Sequence, residues 1–220
     1  MLRKYNYKGD SLFMNENLTE IVFILDRSGS MGHLTEDTIG GFNSFIENQK
    51  KEDGEAVLTT ILFDHEYEIL HNGVNIKNVK PLTNKDYSVR GMTALLDAIG
   101  RTINIVGERL GKMNERDRPS KVIFVITTDG QENSSKEFTQ SQIKKMIEHQ
   151  TNKYNWQFMF LGANIDAVST ARSFGISGQF ASNYVANAIG TDVLYSTLSK
   201  SVSDFRTVGK INDNWKDSLN

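Results

Sequence analysis

The stretch EIVFILDRSGSMG, residues 20–32, runs from five consecutive apolar residues directly into a loop of polar oxygens. An apolar run without strict alternation is typical of a strand that is buried on both faces, as in a parallel sheet covered by helices. Residues 56–63, 121–128 and 156–162 have the same character. These four runs predict the strands of a largely parallel sheet.

Amphipathic patterns lie between and after these strands. Residues 34–50 and 94–110 carry apolar side chains at spacings of three and four, and shorter patterns follow around 143–147, 168–174 and 194–208. Alternating strands and helices predict a doubly wound α/β fold with right-handed crossovers and helices on both faces of the sheet. Segment 66–79 departs from the pattern, because two short extended pieces around HNG read as a hairpin that forms one antiparallel edge.

Composition indicates a single globular domain. The 220 residues are 38% hydrophobic and 24% charged, which suffices for one large core. We assign the domain to residues 18–208, with a polar N-terminal extension, 1–17, and a polar C-terminal tail, 209–220, in which we expect Trp215 to lie in a disordered end.

The same composition excludes several classes of function. The net charge of -2 and the lack of basic clusters argue against nucleic-acid binding. The lack of cysteine excludes disulfides and thiolate metal sites. No signal peptide or membrane span is evident, so we expect a cytoplasmic protein that does not bind membranes.

Polar oxygens follow three of the predicted elements. In a parallel α/β sheet, ligands bind beyond the carboxyl ends of the strands. Asp26, Ser28 and Ser30 follow the first strand, Thr93 opens a helix, and Asp129 closes the 121–128 strand. Two carboxylates and three hydroxyls suit a hard cation such as Mg²⁺ or Mn²⁺. Taken singly, each residue also suits a helix N-cap or a turn.

Three motifs carry a resemblance to a known family. DRSGSMG (26–32), GMTALLDAI (91–99) and TDGQEN (128–133) resemble, in order, the loops of the metal-ion-dependent adhesion site (MIDAS) of von Willebrand factor A (vWA) domains of bacterial or phage type. The resemblance implies a Rossmann-like vWA fold. It also implies that Ser28, Ser30 and Thr93 are direct or near-direct ligands, and that Asp26 and Asp129 act mainly through waters.

By the same resemblance, the chain is a protein-binding module whose metal recognises a Glu or Asp of a partner protein, as an assembly or regulatory component. The residues that we expect on the partner-binding rim are His33, Arg90, Met92 and Asp64. Arg90 stands next to Gly91, where it either lowers metal affinity or pairs with the acidic partner.

Two alternatives use the same cation. One is a metal-dependent hydrolase, for which only His33, His65 or Asp64 offers a general base. The other is a structural subunit that self-associates through the site. Neither a dinucleotide fingerprint, a P-loop nor a nucleophile elbow occurs. We therefore expect no enzyme activity, and the oligomeric state stays open.

Overall fold

A computed structural model describes residues 14–219 of the chain. Most of the predicted N-terminal extension, residues 1–13, lies outside the described residues, as does Asn220. The first strand begins at Asn15 and therefore includes the last residues assigned to that extension.

The described residues form one six-stranded sheet in the order β3-β2-β1-β4-β5-β6. The strands are β1 (Asn15–Asp26), β2 (Glu55–Phe63), β3 (Tyr67–Asn75), β4 (Pro119–Thr128), β5 (Gln157–Gly162) and β6 (Ala181–Asn183). All neighbours are parallel except β2 and β3. The predicted parallel sheet with one antiparallel edge strand is confirmed; β6, only three residues long, gave no pattern in the sequence.

Within the described residues, five α-helices lie between or after the strands and cover both faces of the sheet. They are α1 (Thr35–Gln49), α2 (Leu95–Lys112), α3 (Gln140–Tyr154), α4 (Ala167–Ser173) and α5 (Ala188–Val208). Short 3₁₀ helices span Gly29–Leu34, Ile76–Asn78, Glu115–Asp117, Gly178–Phe180 and Asp217–Leu219. No helix between residues 14 and 219 is long and apolar enough to cross a membrane.

Strand β1 lies in the interior of the sheet and divides the core into two layers. Phe23 packs with α1 and α5 on one face, with ring centroids 5.5 and 4.9 Å from those of Phe42 and Phe45. Val22 and Ile24 point to the other face, which α2, α3 and α4 cover. Both faces are buried, which explains why residues 21–25 are apolar without alternation.

The predicted hairpin within 66–79 is wrong in its position. One continuous strand, β3, covers Tyr67–Asn75, and its antiparallel partner is β2. Gly73 has φ +66° and lies where the β2–β3 register shifts near Thr60. The glycine in HNG therefore marks a β-bulge within a strand, where we expected a turn between two strands.

The C-terminal tail packs against the domain, so the expected disorder at Trp215 is wrong. Ile211 and Trp215 are each 8% exposed and belong to the core layer under α1 and α5. Trp215 Nε1 donates a hydrogen bond of 2.8 Å to the carbonyl of Gln179. Ile211 and Trp215, two apolar residues within a polar sequence, thus extend the core beyond residue 208.

Candidate metal centre

The two predicted metal-site carboxylates lie at the same edge of the sheet. Asp26 ends β1, and Asp129 directly follows β4, which pairs with β1 in parallel. Asp26 is fully buried and Asp129 is 2% exposed. The fold therefore brings together two carboxylates from separate parts of the chain and withdraws both from bulk water.

Asp26 is held from three sides. Its Oδ1 accepts a 2.7 Å hydrogen bond from the Ser28 amide, and its Oδ2 accepts one of 2.6 Å from the Thr128 hydroxyl. The hydroxyl of Tyr87 donates to the Asp26 carbonyl at 2.5 Å. Burial raises the pKa of Asp26 to about 6, and the charge of Asp129 adds to this, while the bonds from Thr128 and Ser28 oppose it.

Asp129 meets the serines of the first loop. The Ser30 hydroxyl donates a 2.5 Å hydrogen bond to Asp129 Oδ1, and the hydroxyl oxygens of Ser28 and Ser30 lie 3.2 Å apart. Burial also raises the pKa of Asp129, although the bond from Ser30 and the nearby His33 oppose the shift. Asp129 Oδ2 is buried and has no hydrogen-bond partner among the described residues.

The second loop brings Thr93 to the same place. Gly91 adopts φ +69°, a conformation that favours glycine, and its carbonyl accepts a 3.2 Å bond from the amide of Gly29. A Cβ added at Gly130 would lie 3.4 Å from the Ser30 hydroxyl oxygen and 3.6 Å from that of Thr93. The bare backbone of Gly130 therefore lies between these two hydroxyls, and all five predicted ligand residues converge.

Several residues that support the site were missed in the sequence. The Thr93 amide donates to Asn133 Oδ1 at 2.9 Å, and the Asn133 amide returns a 3.0 Å bond to the Thr93 carbonyl. Glu132 Oε2 accepts from the Leu96 amide in the first turn of α2. Glu132 and Asn133 belong to the TDGQEN motif, so the sequence contained a signal by which they could have been found. No pattern in the sequence indicated the role of Tyr87.

The prediction that Asp64 lies on the rim is wrong, because its side chain has no exposed surface. Asp64 Oδ2 accepts from Arg27 Nε at 3.0 Å and from Arg90 Nε at 2.9 Å, and Oδ1 accepts from the Glu66 amide at 2.6 Å. Arg90 also pairs with the Glu66 carboxylate at 2.5 Å. The Arg90 guanidinium is thus held by these two acids, and Asp64 joins the first metal loop to the second.

His33 and Met92 lie on the exposed surface beside the loops. Met92 is 57% exposed. The exposed His33 ring has Nδ1 2.9 Å from the Ser30 carbonyl and Nε2 3.3 Å from the Ala186 carbonyl, so it joins the first loop to the segment that precedes α5. That segment and the first turn of α5 add two exposed apolar side chains, Val185 and Ile189.

The donor set suits a hard divalent cation. No group of three or more His, Asp or Glu side chains suited to a metal occurs within residues 14–219, so the site depends on hydroxyl as well as carboxylate oxygens. Oxygen ligands without nitrogen or sulfur favour Mg²⁺, Mn²⁺ or Ca²⁺. The unpartnered Asp129 Oδ2 and the raised pKa of Asp26 both mark negative charge that a cation would compensate.

Comparison with known proteins supports the same fold. The sequence matches no protein-family model and no curated protein. Among solved structures, proximal thread matrix protein 1 from the mussel byssus, with a zinc-occupied MIDAS motif, is 15% identical with a TM-score of 0.57 over 84% of this chain and 46% of its own. VWA2 of Sulfolobus acidocaldarius, an ArnB paralog, is 17% identical with a TM-score of 0.53 over 84% and 45%.

A manganese-loaded TRAP protein of Plasmodium vivax is 15% identical, with a TM-score of 0.55 over 81% of this chain and 73% of its own. The chain spans less than half the length of the mussel and Sulfolobus proteins. These likenesses define the class as an α/β domain with a doubly wound, mostly parallel sheet. More narrowly, the chain has the fold of a von Willebrand factor A domain, and the predicted resemblance is confirmed at the level of the fold.

Proposed function

We propose that this chain is a protein-recognition module that holds Mg²⁺ or Mn²⁺ among Asp26, Ser28, Ser30, Thr93 and Asp129 and binds an acidic side chain of a partner protein. The observation that carries the proposal is the buried Asp129 Oδ2, which has no hydrogen-bond partner in the described chain where the serine and threonine hydroxyls converge. A buried, unpaired carboxylate oxygen costs free energy that a cation removes.

The side chains of the site explain why a metal bound there would prefer an anionic group of the partner. A bound cation supplies an electrophilic position for an oxygen of the partner. Ser28, Ser30 and Thr93, the expected direct ligands, are neutral, whereas Asp26 and Asp129 are expected to act mainly through waters, so the inner shell leaves the metal charge poorly neutralised. A partner carboxylate therefore completes the charge balance better than a neutral group does.

The rim suits a protein partner. His33 connects the first loop to the segment before α5. Met92, Val185 and Ile189 are 57, 60 and 77% exposed and provide apolar contacts around a central polar anchor. Apolar side chains are typical of the buried part of a protein interface, and contacts around a central anchor exclude water from it.

We favour binding over hydrolysis because two of the bases that the sequence offered, His33 and Asp64, are already engaged, and His65 is engaged through one ring nitrogen. Both ring nitrogens of His33 lie near backbone carbonyls, Asp64 is enclosed by two guanidinium groups, and His65 Nδ1 lies 3.1 Å from Asp64 Oδ1. A general base must be free to take a proton. The cytoplasmic location and the bacterial origin expected from the sequence remain predictions.

The first experiment measures metal binding without a partner. Free Mn²⁺ is titrated with the protein and followed by its electron paramagnetic resonance signal, with Mg²⁺ as competitor. We expect wild type to bind Mn²⁺ and Ser28→Ala/Ser30→Ala to lose binding while it still unfolds in EDTA in one cooperative thermal transition. The matched control is Ser169→Ala/Ser196→Ala, at two exposed serines on α4 and α5. Equal Mn²⁺ binding by all three proteins would refute the site.

The second experiment tests recognition. The same three proteins are used as baits in a lysate, with Mg²⁺ or with EDTA, and captured proteins are identified by mass spectrometry. We expect a protein that wild type and the control variant retain only with metal. Capture of a second copy of this chain would favour the self-associating subunit, and capture independent of both metal and Ser28/Ser30 would contradict metal-bridged recognition.

A further inference from the structure

A cavity of about 410 Å³ opens at the end of the sheet opposite the metal centre. It lies where β4 begins, between the C-terminal turns of α2 and α3, whereas the metal loops follow the C-terminal ends of β1 and β4. Its volume falls within the range of small-molecule sites in proteins. The cavity shares no residue with the metal centre and is independent of the proposed function.

One wall of the cavity is apolar and aromatic. Leu110, Val122 and Trp156 are buried and line it. Gly107 and Gly111, one turn apart on α2, leave the space open: a Cβ at Gly111 would meet nothing within 4 Å, and one at Gly107 would only reach the Trp156 ring at 3.9 Å. The wall therefore presents part of an indole ring beside bare helix backbone.

The polar part of the lining is cationic. Its charged side chains are Arg118 and Lys153, and it contains no Asp or Glu. Arg118 donates from Nη2 to the Met113 carbonyl at 3.1 Å, while its Nε is buried and has no hydrogen-bond partner in the described chain. The Lys153 ammonium lies 5.2 Å from the centroid of the Tyr154 ring. Neither cation forms an ion pair within residues 14–219.

We propose that this cavity binds a small organic anion with an aromatic or apolar body. The body lies against Trp156, and the anionic group pairs with Arg118 and Lys153, which satisfies the buried guanidinium nitrogen. Residues 1–13 precede Met14 at the cavity mouth, but they carry three basic residues and one acidic residue. Their charge has the same sign as that of the cavity, so the complementary occupant is a separate anion.

Two matched dyes test the proposal on the full chain. 1-Anilinonaphthalene-8-sulfonate has an aromatic body with a sulfonate, and N-phenyl-1-naphthylamine has the same body without it. We expect wild type to bind the sulfonate dye more tightly than the neutral dye in fluorescence titrations. Arg118→Gln/Lys153→Gln is expected to lower the affinity for the sulfonate dye about tenfold and to leave the affinity for the neutral dye unchanged. Lys145→Gln, on the exposed side of α3, is the charge control.

A second variant fills the cavity. Gly111→Leu places a side chain in the open space and is expected to abolish binding of both dyes, while Gly40→Leu, at an equally open and exposed position on α1, leaves binding intact. Thermal unfolding of each variant without dye shows that it is folded. Dye binding that survives Gly111→Leu, or a neutral dye that binds as tightly as the sulfonate, would overturn the proposal.

Discussion

Replacing Asp26 with Asn should stabilise the metal-free protein while it abolishes metal binding. Burial raises the pKa of Asp26 from 3.8 to about 6, so ionising this group in the folded state costs more than in the unfolded state. The difference of about 2.2 pH units corresponds to about 3 kcal/mol, at roughly 1.36 kcal/mol per unit. Asparagine carries no charge and avoids this cost.

The local hydrogen bonds permit the replacement. The Ser28 amide still donates to Oδ1 of the new side chain. The Thr128 hydroxyl, which donates to Asp26 Oδ2, lies 3.2 Å from the Gly130 carbonyl and can donate there instead, while it accepts from the new amide nitrogen. The existing donors therefore keep acceptors, and one hydrogen of the new amide nitrogen is accepted by the Thr128 hydroxyl.

The sign of the pH dependence follows from the raised pKa. Below about pH 3, Asp26 is protonated in both states and imposes no penalty. As pH rises from about 3 to 6, the unfolded state loses its proton first, so the free energy of unfolding of wild type falls, and nearly the full penalty is present above pH 6. The gap between Asp26→Asn and wild type should therefore be only about 0.5 kcal/mol at pH 4 and about 3 kcal/mol at pH 7.

Urea or thermal unfolding in EDTA at pH 4 and pH 7 measures this gap. For a chain of this size, about 3 kcal/mol corresponds to roughly 6–12 °C in the unfolding midpoint. Asp213→Asn, an exposed carboxylate in the tail, is the control and should show no such gap. In Mn²⁺, wild type and Asp213→Asn should gain stability, and Asp26→Asn should not. An Asp26→Asn variant that is no more stable than wild type at pH 7, or a gap that is equal at both pH values, would refute the reasoning.

Three further substitutions test other parts of the structure. Phe124→Ala should destabilise by about 3–5 kcal/mol in urea unfolding, since Phe124 is fully buried, and partner binding should follow stability alone. Trp215→Ala should cost about 3 kcal/mol by the same assay, because the indole is buried and bonded to Gln179; an unchanged midpoint would mean that the tail does not pack. Gly91→Ala should cost about 1 kcal/mol and weaken Mn²⁺ binding, since φ is +69° and the new Cβ would collide with His65; unchanged Mn²⁺ affinity would contradict the role of this loop.

The main features of the fold and the five candidate ligand residues were predictable from sequence because each depends on local information. Continuous apolar runs identify parallel strands, and the ends of those strands identify where Asp26 and Asp129 meet. The convergence of Ser28, Ser30 and Thr93 at that edge agrees with the prediction, whereas metal binding itself stays a prediction. Patterns within one segment are sufficient for such inferences.

Other features depend on contacts between distant segments and were missed or mistaken. Asp64 follows a strand just as Asp26 does, yet Arg27 and Arg90 enclose it, and no pattern within residues 63–66 reveals that. The glycine in HNG fits a turn and a bulge equally well, and only pairing with β2 decides between them. Trp215 lies in a polar tail whose partner, the carbonyl of Gln179, belongs to a different element.

The convergence of three loops has a consequence for the folding of the domain. β2 and β3 lie between the first and second loops, and α2 and β4 lie between the second and third. A cation bound there joins distant parts of the chain, and local unfolding of any one of them would dismantle the coordination. A metal bound at this site would therefore make partial opening more costly, and a partly folded chain would lack the proposed binding surface. Partner binding would then require the whole domain to be folded, so a partly unfolded molecule would not bind the partner at all instead of binding it weakly.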